Sequence, residues 1–330
     1  MSDPLVSVII PTFQRERYIA EAIQSALSQS YRNLEILIID DGSTDSTHAV
    51  ITDFQKHDQR IQYHYQANSG PANARNSGIR MSKGSLIAFL DSDEKWMDNK
   101  LQKEIDIFRT HPEVGFVFSN GFFIDDKGLR DEALTRQRKA RKTYRVEDFL
   151  FGGVTFLSTS GITIRKECLK KAGIFDETLP LYEDVDLWFR ILLFYPAYFI
   201  DEELVVNRTH PQNYAKVHVR FPGLEMSRSI WLMRSKATKL YEKNVRPLSA
   251  AEKEAVLYNF QIELIKEFFA TGFHKEARKE ISSYLSTHRL SMRLIFFYLL
   301  SFAPVSAVSF VIGRRRQRMQ QKEFSMPREL

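Results

Sequence analysis

Three acidic clusters carry the residue types from which chemistry could be built. Asp91-Ser92-Asp93, followed by Glu94, ends the apolar run LIAFLD (86–91). Carboxylates one residue apart at a strand-to-loop bend can converge on one hard cation. Mg2+ or Mn2+ takes one or two such carboxylates and fills its other positions with diphosphate oxygens and water. Such an ion neutralises a departing nucleoside diphosphate; a solvated D-x-D without a metal is the plain alternative. Asp40-Asp41-Gly42 closes the run EILIID (35–40). An aspartate there can accept a hydrogen bond from a base N–H while the glycine allows a tight turn, or the pair can simply cap the next helix. Glu183-Asp184 opens a helical pattern, with Asp184 six residues before Arg190. A carboxylate at a helix N-terminus is stabilised in its ionised form, which suits a general base beside an acceptor hydroxyl. Two helix-start acids with no further role carry the same signature.

The elements that would position these clusters are legible as alternating periods. VSVII (6–10), EILIID (35–40), IQYHYQ (61–66), LIAFLD (86–91) and VGFVFS (114–119) read as buried strands. Between them Ile19, Ala22, Ile23, Ala26 and Leu27 share a helical face. Further helical patterns run from the DGSTDST segment to about Lys56, with Ser43 or Thr44 as N-cap, and over 71–82 and 97–110. Strand–helix alternation predicts a mainly parallel α/β sheet flanked by helices, with ligands beyond the carboxyl ends of the strands. Asp40-Asp41 and Asp91-Ser92-Asp93 stand at such ends. Later patterns predict a strand at about 155–165, a helix over 184–194 and a strand over 197–208. Between Asp125 and Arg145 the pattern dissolves. Six of the ten residues 136–145 are basic, which reads as a mobile loop or a contact for an anionic acceptor or membrane surface. After Phe221 the chain reads as helical to about Thr287.

Composition removes several function classes. The formal charge is +6, but residues 289–330 hold eight Lys/Arg against two Glu. The remaining 288 residues are balanced, so the charge describes a tail and a nucleic-acid partner loses its support. The single cysteine, Cys168, excludes an intramolecular disulfide framework and a cysteine zinc site. There is no GxxxxGK[ST], no GxGxxG after the first strand, no Ser nucleophile elbow and no HExxH. The start MSDPLVSVIIPTF lacks a basic n-region and meets a proline too early for a signal peptide.

Five segments in order resemble the family 2 glycosyltransferases, which share the GT-A fold. They are VSVIIPTFQRERYIAEAIQSALSQSY (6–31), EILIIDDGSTDST (35–47), NSGPANARNSGI (68–79), GSLIAFLDSDEKWMDNKL (84–101) and GIFDETLPLYEDVDLWFRI (173–191). The resemblance implies roles for matching residues. Pro11 and Thr12 would lie near the nucleobase, and Asp41 would contact a uracil, with Asp40 as its neighbour. Arg75 would face the donor, Asp93 would ligate the metal, and Asp91 would bind the donor ribose or a metal-bound water. Asp184 would be the catalytic base, and His210 matches a position where some relatives place a further metal or phosphate ligand. Trp96 and Trp188 read as packing first and sugar stacking second. The family often has Asn where Gln14 stands, and a third acid run where this chain has Asp93-Glu94-Lys95.

What the resemblance implies overall is an inverting, metal-dependent transfer from a nucleoside-diphosphate sugar, UDP-type, to an acceptor hydroxyl. The acceptor would be a saccharide or a lipid-linked one, and the product a surface polysaccharide or glycolipid. A sugar-1-phosphate nucleotidyltransferase would expect a glycine-rich basic loop where PTFQRERY stands. A binding protein with a decayed site would not be expected to keep Asp41, Asp93 and Asp184. Three domains are expected: a catalytic one over 1–220, a helical lobe over 221–288, and an apolar, basic tail over 289–330. The tail holds Leu294–Ile312, 19 residues interrupted by Pro304, against the roughly 20 of a membrane span. A buried helix pair, a single span and an interfacial segment held by arginines on anionic lipid compete there. The lipid-linked acceptors of similar enzymes favour the interfacial reading, on the cytoplasmic face of the cell membrane.

Overall fold

The structure is a computed structural model that describes residues 3–131, 142–151, 158–179, 181–210 and 222–256, with isolated positions from 258 to 298. Contacts divide the chain into two compact units: Met1–Arg220 with Leu232–Pro247, and Phe221–Trp231 with Leu248–Leu330. Segment 232–247, expected in the helical lobe, thus groups with the first unit.

The first unit is organised on one sheet. Strands β1 (Val6–Thr12) and β2 (Leu34–Asp40) are buried at every position, as expected when both faces of a parallel sheet are covered. They are followed by β3 (Ile61–Tyr65) and β4 (Leu86–Phe89), with β2 and β4 both parallel to β1 and β3 parallel to β2. Helix α1 (Ile19–Leu27) buries Ile19, Ala22, Ile23 and Ala26, and α2 (Thr47–His57) buries Ile51. Helix α3 (Pro71–Met81) starts on a proline at its first turn, where no intrahelical N–H partner is needed. Its Gly78 is required by packing, because a Cβ there would stand 2.5 Å from Ile9 Cγ2.

Beyond β4 the sheet turns mixed. After β5 (Lys95–Trp96) and α4 (Lys100–Thr110) come β6 (Phe116–Ile124), β7 (Arg130–Asp131), β8 (Thr143–Tyr144) and α5 (Val146–Leu150). Strand β9 (Ile162–Arg165) lies antiparallel between β4 and β6. Then α6 (Leu169–Ala172), α7 (Glu183–Leu192) and β10 (Ala197–Arg208) complete the body, with β10 parallel to β6 and antiparallel to β5 and β8. The spatial order is β3-β2-β1-β4-β9-β6-β10-β5. Helix α8 (Pro222–Asn244) follows. A further helical stretch over 250–256 is preceded by a reciprocal Ser249–Glu252 capping box.

The mainly parallel sheet flanked by helices, with a helical extension, matches the expectation. Local corrections are few. Helix α2 begins at Thr47 behind Ser46, not Ser43 or Thr44, because those residues tie the DGST turn to the β1–α1 loop. Of the strand expected over 155–165, residues 155–157 lie outside the described residues, Thr159–Gly161 is a 3-10 turn and Ile162–Arg165 is strand. Most of the basic 136–145 run and nearly all of the 289–330 tail lie outside the described residues.

Candidate active site

The chain runs β1-β2-β3 outward in one direction, and α3 then carries it back across to β4 on the other side of β1. The carboxyl ends of β1 and β4 are therefore a topological switch point, where the sheet itself leaves a crevice. A cleft lies there, lined by Pro11, Thr12, Arg15, Asp41, Arg75 and Asp91–Glu94 among others.

At one end of the cleft, Thr12 is buried, and its Oγ1 has no hydrogen-bond partner among the described residues. An unsatisfied buried hydroxyl calls for a partner, and a ligand in the adjoining cleft would supply one. Asp41 stands beside it. Its Oδ1 accepts from Ser69 N–H (2.9 Å) and Gln66 Nε2 (2.8 Å), and its Oδ2 from Gly70 N–H (2.7 Å). A carboxylate offers about four acceptor positions, so one remains for a base N–H. Gly42, at φ +90°, makes the turn that brings Asp41 there; a Cβ would meet Asn68 N at 3.0 Å.

Asp40 requires a correction. It is fully buried and absent from the cleft lining, and both oxygens are occupied, by Ser43 N–H (2.8 Å) and Tyr63 Oη (2.9 Å). It fastens the DGST turn to β3 from within the core, and it does not cap α2, which starts at Thr47 behind Ser46 with no side-chain cap. Burial and the Asp40 carboxylate together raise the Tyr63 phenol above its ordinary range.

At the other end, Asp93 Oδ2 lies 2.9 Å from His210 Nε2, with Arg15 Nε at 3.4 Å. Burial works against ionisation of Asp93, but the His210 hydrogen bond and the Arg15 charge outweigh it and hold the carboxyl below the usual aspartate range. His210 is buried and stacks on Tyr18 (4.6 Å between centroids), whose hydroxyl donates to Asp126. Glu94 sits between these groups and Ser158-Thr159-Ser160; burial, with Asp91 and Asp93 nearby, pushes its carboxyl well up.

The residues fit a divalent cation held in part by its substrate. An oxygen and an imidazole nitrogen converge at the end of β4, a donor set that suits Mn2+. Among the described residues no group of three or more His, Cys, Asp or Glu could form a closed metal site. The remaining positions would fall to diphosphate and water, as such ions prefer.

Arg75 joins the two ends of the site. Its buried guanidinium donates to Asp91 Oδ1 and to Glu183 Oε1, each at 2.8 Å. Burial opposes its charge, and Asp91 and Glu183 more than compensate, raising its pKa. Glu183 is pushed up to about 7 by burial and by neighbouring Asp184, against the pull of Arg75. Asp184, the next residue of α7, does not line the cleft itself. Its Oδ1 accepts its neighbour Val185 N–H (2.7 Å) and its Oδ2 accepts Thr159 Oγ1 (2.8 Å).

Of the residues expected from sequence, Pro11, Thr12, Asp41, Arg75, Asp91 and Asp93 line one cleft, His210 joins Asp93, and Asp184 stands next to the Arg75-linked Glu183. Trp188 is packed among Phe89, Phe116 and Phe175, and Trp96 donates its indole N–H to Ser160 O. Arg15, Glu94, Thr159 and Ser160 were not assigned roles. Arg15 and Glu94 adjoin assigned motifs and could have been found there; the two hydroxyls sit in a stretch that reads only as strand.

Comparison with known proteins agrees with this fold. The chain is 33% identical over 214 residues to an uncharacterized glycosyltransferase of Rickettsia typhi, a match spanning 63% of this chain and 64% of that relative. It thus spans just under two thirds of the relative's own length. The fold matches the mannosyltransferase PcManGT of Pyrobaculum calidifontis, solved with GDP-Man and Mn2+, at a TM-score of 0.60 and 16% identity, covering 97% of this chain and 88% of that one. It also matches residues 1–349 of S. aureus TarS, solved with UDP-GlcNAc, at a TM-score of 0.54 and 15% identity, covering 90% of each chain. The sequence profile of the family described as Glycosyl transferase family 2 matches residues 7–173. With its acids at the switch point of a GT-A sheet, the chain belongs to the family 2 glycosyltransferases.

Proposed function

We propose that this protein transfers a sugar from a UDP-type nucleoside-diphosphate sugar to an acceptor hydroxyl, with inversion. The observation that carries the reading is the single row of groups running from Thr12 and Asp41, through Asp91, Asp93 and His210, to the Arg75-held N-terminus of α7. Thr12 Oγ1 and the open position on Asp41 receive the base. Asp93 and His210 hold a divalent cation, which when bound neutralises charge on the diphosphate. Arg75 keeps Asp91 beside the donor and α7 beside the acceptor. Asp184 takes the proton of the acceptor hydroxyl as that oxygen attacks the anomeric carbon opposite the leaving diphosphate. One base and one assisted leaving group suffice, so no covalent intermediate is needed.

The bound donors named for the two solved relatives differ in base and sugar but are both nucleoside-diphosphate sugars, which supports the class. A saccharide or lipid-linked acceptor at the cytoplasmic face of the cell membrane, in surface polysaccharide or glycolipid synthesis, completes the proposal. Its motive is the arginine-flanked apolar tail. Among the described residues no helix is long and apolar enough to cross a membrane.

The test is a thermal-shift screen of nucleoside diphosphates and their sugars, with and without Mn2+, followed by assay of metal-dependent donor hydrolysis. A Mn2+-dependent upward shift with UDP and one of its sugars is expected. Equal melting with every nucleotide, metal present or not, would overturn the reading. Fractionation tests the membrane part: release from membranes by salt or carbonate supports surface binding, and a protein found wholly in the soluble fraction defeats it.

A further inference from the structure

Ser158, Thr159 and Ser160 lead into β9, where the 3-10 turn brings them against the site. Thr159 and Ser160 are 4% and 0% exposed, so water cannot substitute for the bonds they make. None of the three caps the turn, since Ser158 makes no side-chain capping bond. Each hydroxyl instead meets an acid of the site. Thr159 Oγ1 donates to Asp184 Oδ2 (2.8 Å), Ser160 Oγ accepts the Asp91 N–H (2.9 Å), and Ser158 and Ser160 both bond to the Glu94 carboxyl. The turn is itself anchored. Trp96 Nε1 donates to Ser160 O (2.8 Å), and the amide nitrogen of Asn207, turned toward Ser158, reaches its Oγ at 2.8 Å and Glu94 at 2.9 and 3.2 Å.

We infer that this hydroxyl turn is the positioning element that keeps the base in register with the acids on the donor side, with Thr159 as the positioning residue for Asp184. The inference rests on the reading of Asp184 as general base. One Asp184 oxygen is fixed by its neighbour's backbone N–H and the other by Thr159, so the carboxylate cannot rotate about its own bond without breaking one of them. Ser160 ties the same turn to the backbone of Asp91, so base and donor-side acids share one rigid reference. A misplacement of about 1 Å in such a constellation can cost on the order of 100-fold in rate.

The experiment compares Thr159→Val, Thr159→Ala and Thr159→Ser with the full-length enzyme, measuring kcat, donor KM and the Mn2+-dependent thermal shift with UDP. Val and Ala should lower kcat by roughly ten- to a hundredfold and leave donor KM and the UDP shift unchanged. Ser, which keeps the hydroxyl, should regain most of the rate. Wild-type kcat in Val and Ala overturns the inference. So does a loss that Ser fails to repair, or one shared equally by the UDP shift, because a merely structural role would produce it. If Asp184→Asn also turned over normally, the failure would lie in the reading of the base; if only the Thr159 variants did, that reading stands and the positioning role falls.

Discussion

The half of the sheet built from residues 6–91 and the half built from residues 116–208 meet where β4 pairs with β9, and they hold the acids of the candidate site by different means. In the first half the strands are parallel, and backbone N–H groups share in fastening Asp41 (Ser69 and Gly70, with the Gln66 side chain) and Asp40 (Ser43, with the Tyr63 hydroxyl), while Asp91 is held by the Arg75 side chain. In the second half the pairing is mixed, and side chains do most of the fastening: Asp184 by Thr159 beside the Val185 N–H, Glu183 by Arg75, Asp186 by Arg190 and Lys236. A backbone donor is supplied by any residue at that position. A side-chain donor disappears with one substitution, so the half that carries the proposed base should be the easier to break.

The largest effect is expected from Asp184→Asn. Loss of a general base should reduce kcat by about 10²- to 10⁴-fold, while calorimetry with UDP and Mn2+ shows unchanged affinity. Normal turnover would remove the distinction between a donor half and a base half.

Next comes Asp186→Ala. Asp186 is buried and accepts from Arg190 Nε (2.8 Å) and Lys236 Nζ (3.1 Å). Arg190 would be left buried on the carbonyls of Ala172 and Ile174. A cost of about 3 kcal/mol is expected, since breaking a buried pair strands a charge; urea unfolding measures it. A change within experimental scatter would show that this network does not hold α7.

Asp93→Ala probes the loop that follows the first half. It removes one of the two proposed metal ligands, and Mn2+-dependent donor affinity should fall roughly tenfold or more. Affinity that is unchanged and still metal-dependent would exclude Asp93 as a ligand.

The smallest effect concerns pH. Burial works against ionisation of Asp176, but Lys236 and Thr178 outweigh it and hold the carboxyl near about 2. A depressed folded-state pKa gives stability that is complete above the unfolded value of about 4 and is lost as pH falls toward 2. The pair is partly exposed, so solvent screening limits it to about 1 kcal/mol. Asp176→Asn, which leaves the Lys236–Asp186 pair in place, should therefore cost about that much at neutral pH and flatten the loss of stability between pH 4 and 2, read from urea midpoints. An unaltered pH profile would show that Asp176 does not set it.

The same contrast explains what could be read in advance. The apolar runs around Ile9, Ile38 and Phe89 announce strands because a doubly covered strand must be apolar throughout, and the acids that end them announce a site. Asp40 and Asp41 look alike as neighbours, yet only Asp41 lines the cleft, since Asp40 is the last, buried residue of β2 and Asp41 the first of the turn made at Gly42. Strand β9 was blurred because its direction and its neighbours depend on partners far along the chain.

By itself the sequence determined the alternation of strands and helices and the family, and it marked Asp41, Asp91, Asp93 and Asp184 as candidates, because local period and residue type survive without contacts. Only the tertiary structure decided that Asp40 is a buried fastener, that Arg75 bridges Asp91 and Glu183, and that Thr159 holds Asp184. Those assignments join residues up to 108 positions apart. Such pairings arise from how the sheet brings distant segments together, and no local pattern records them.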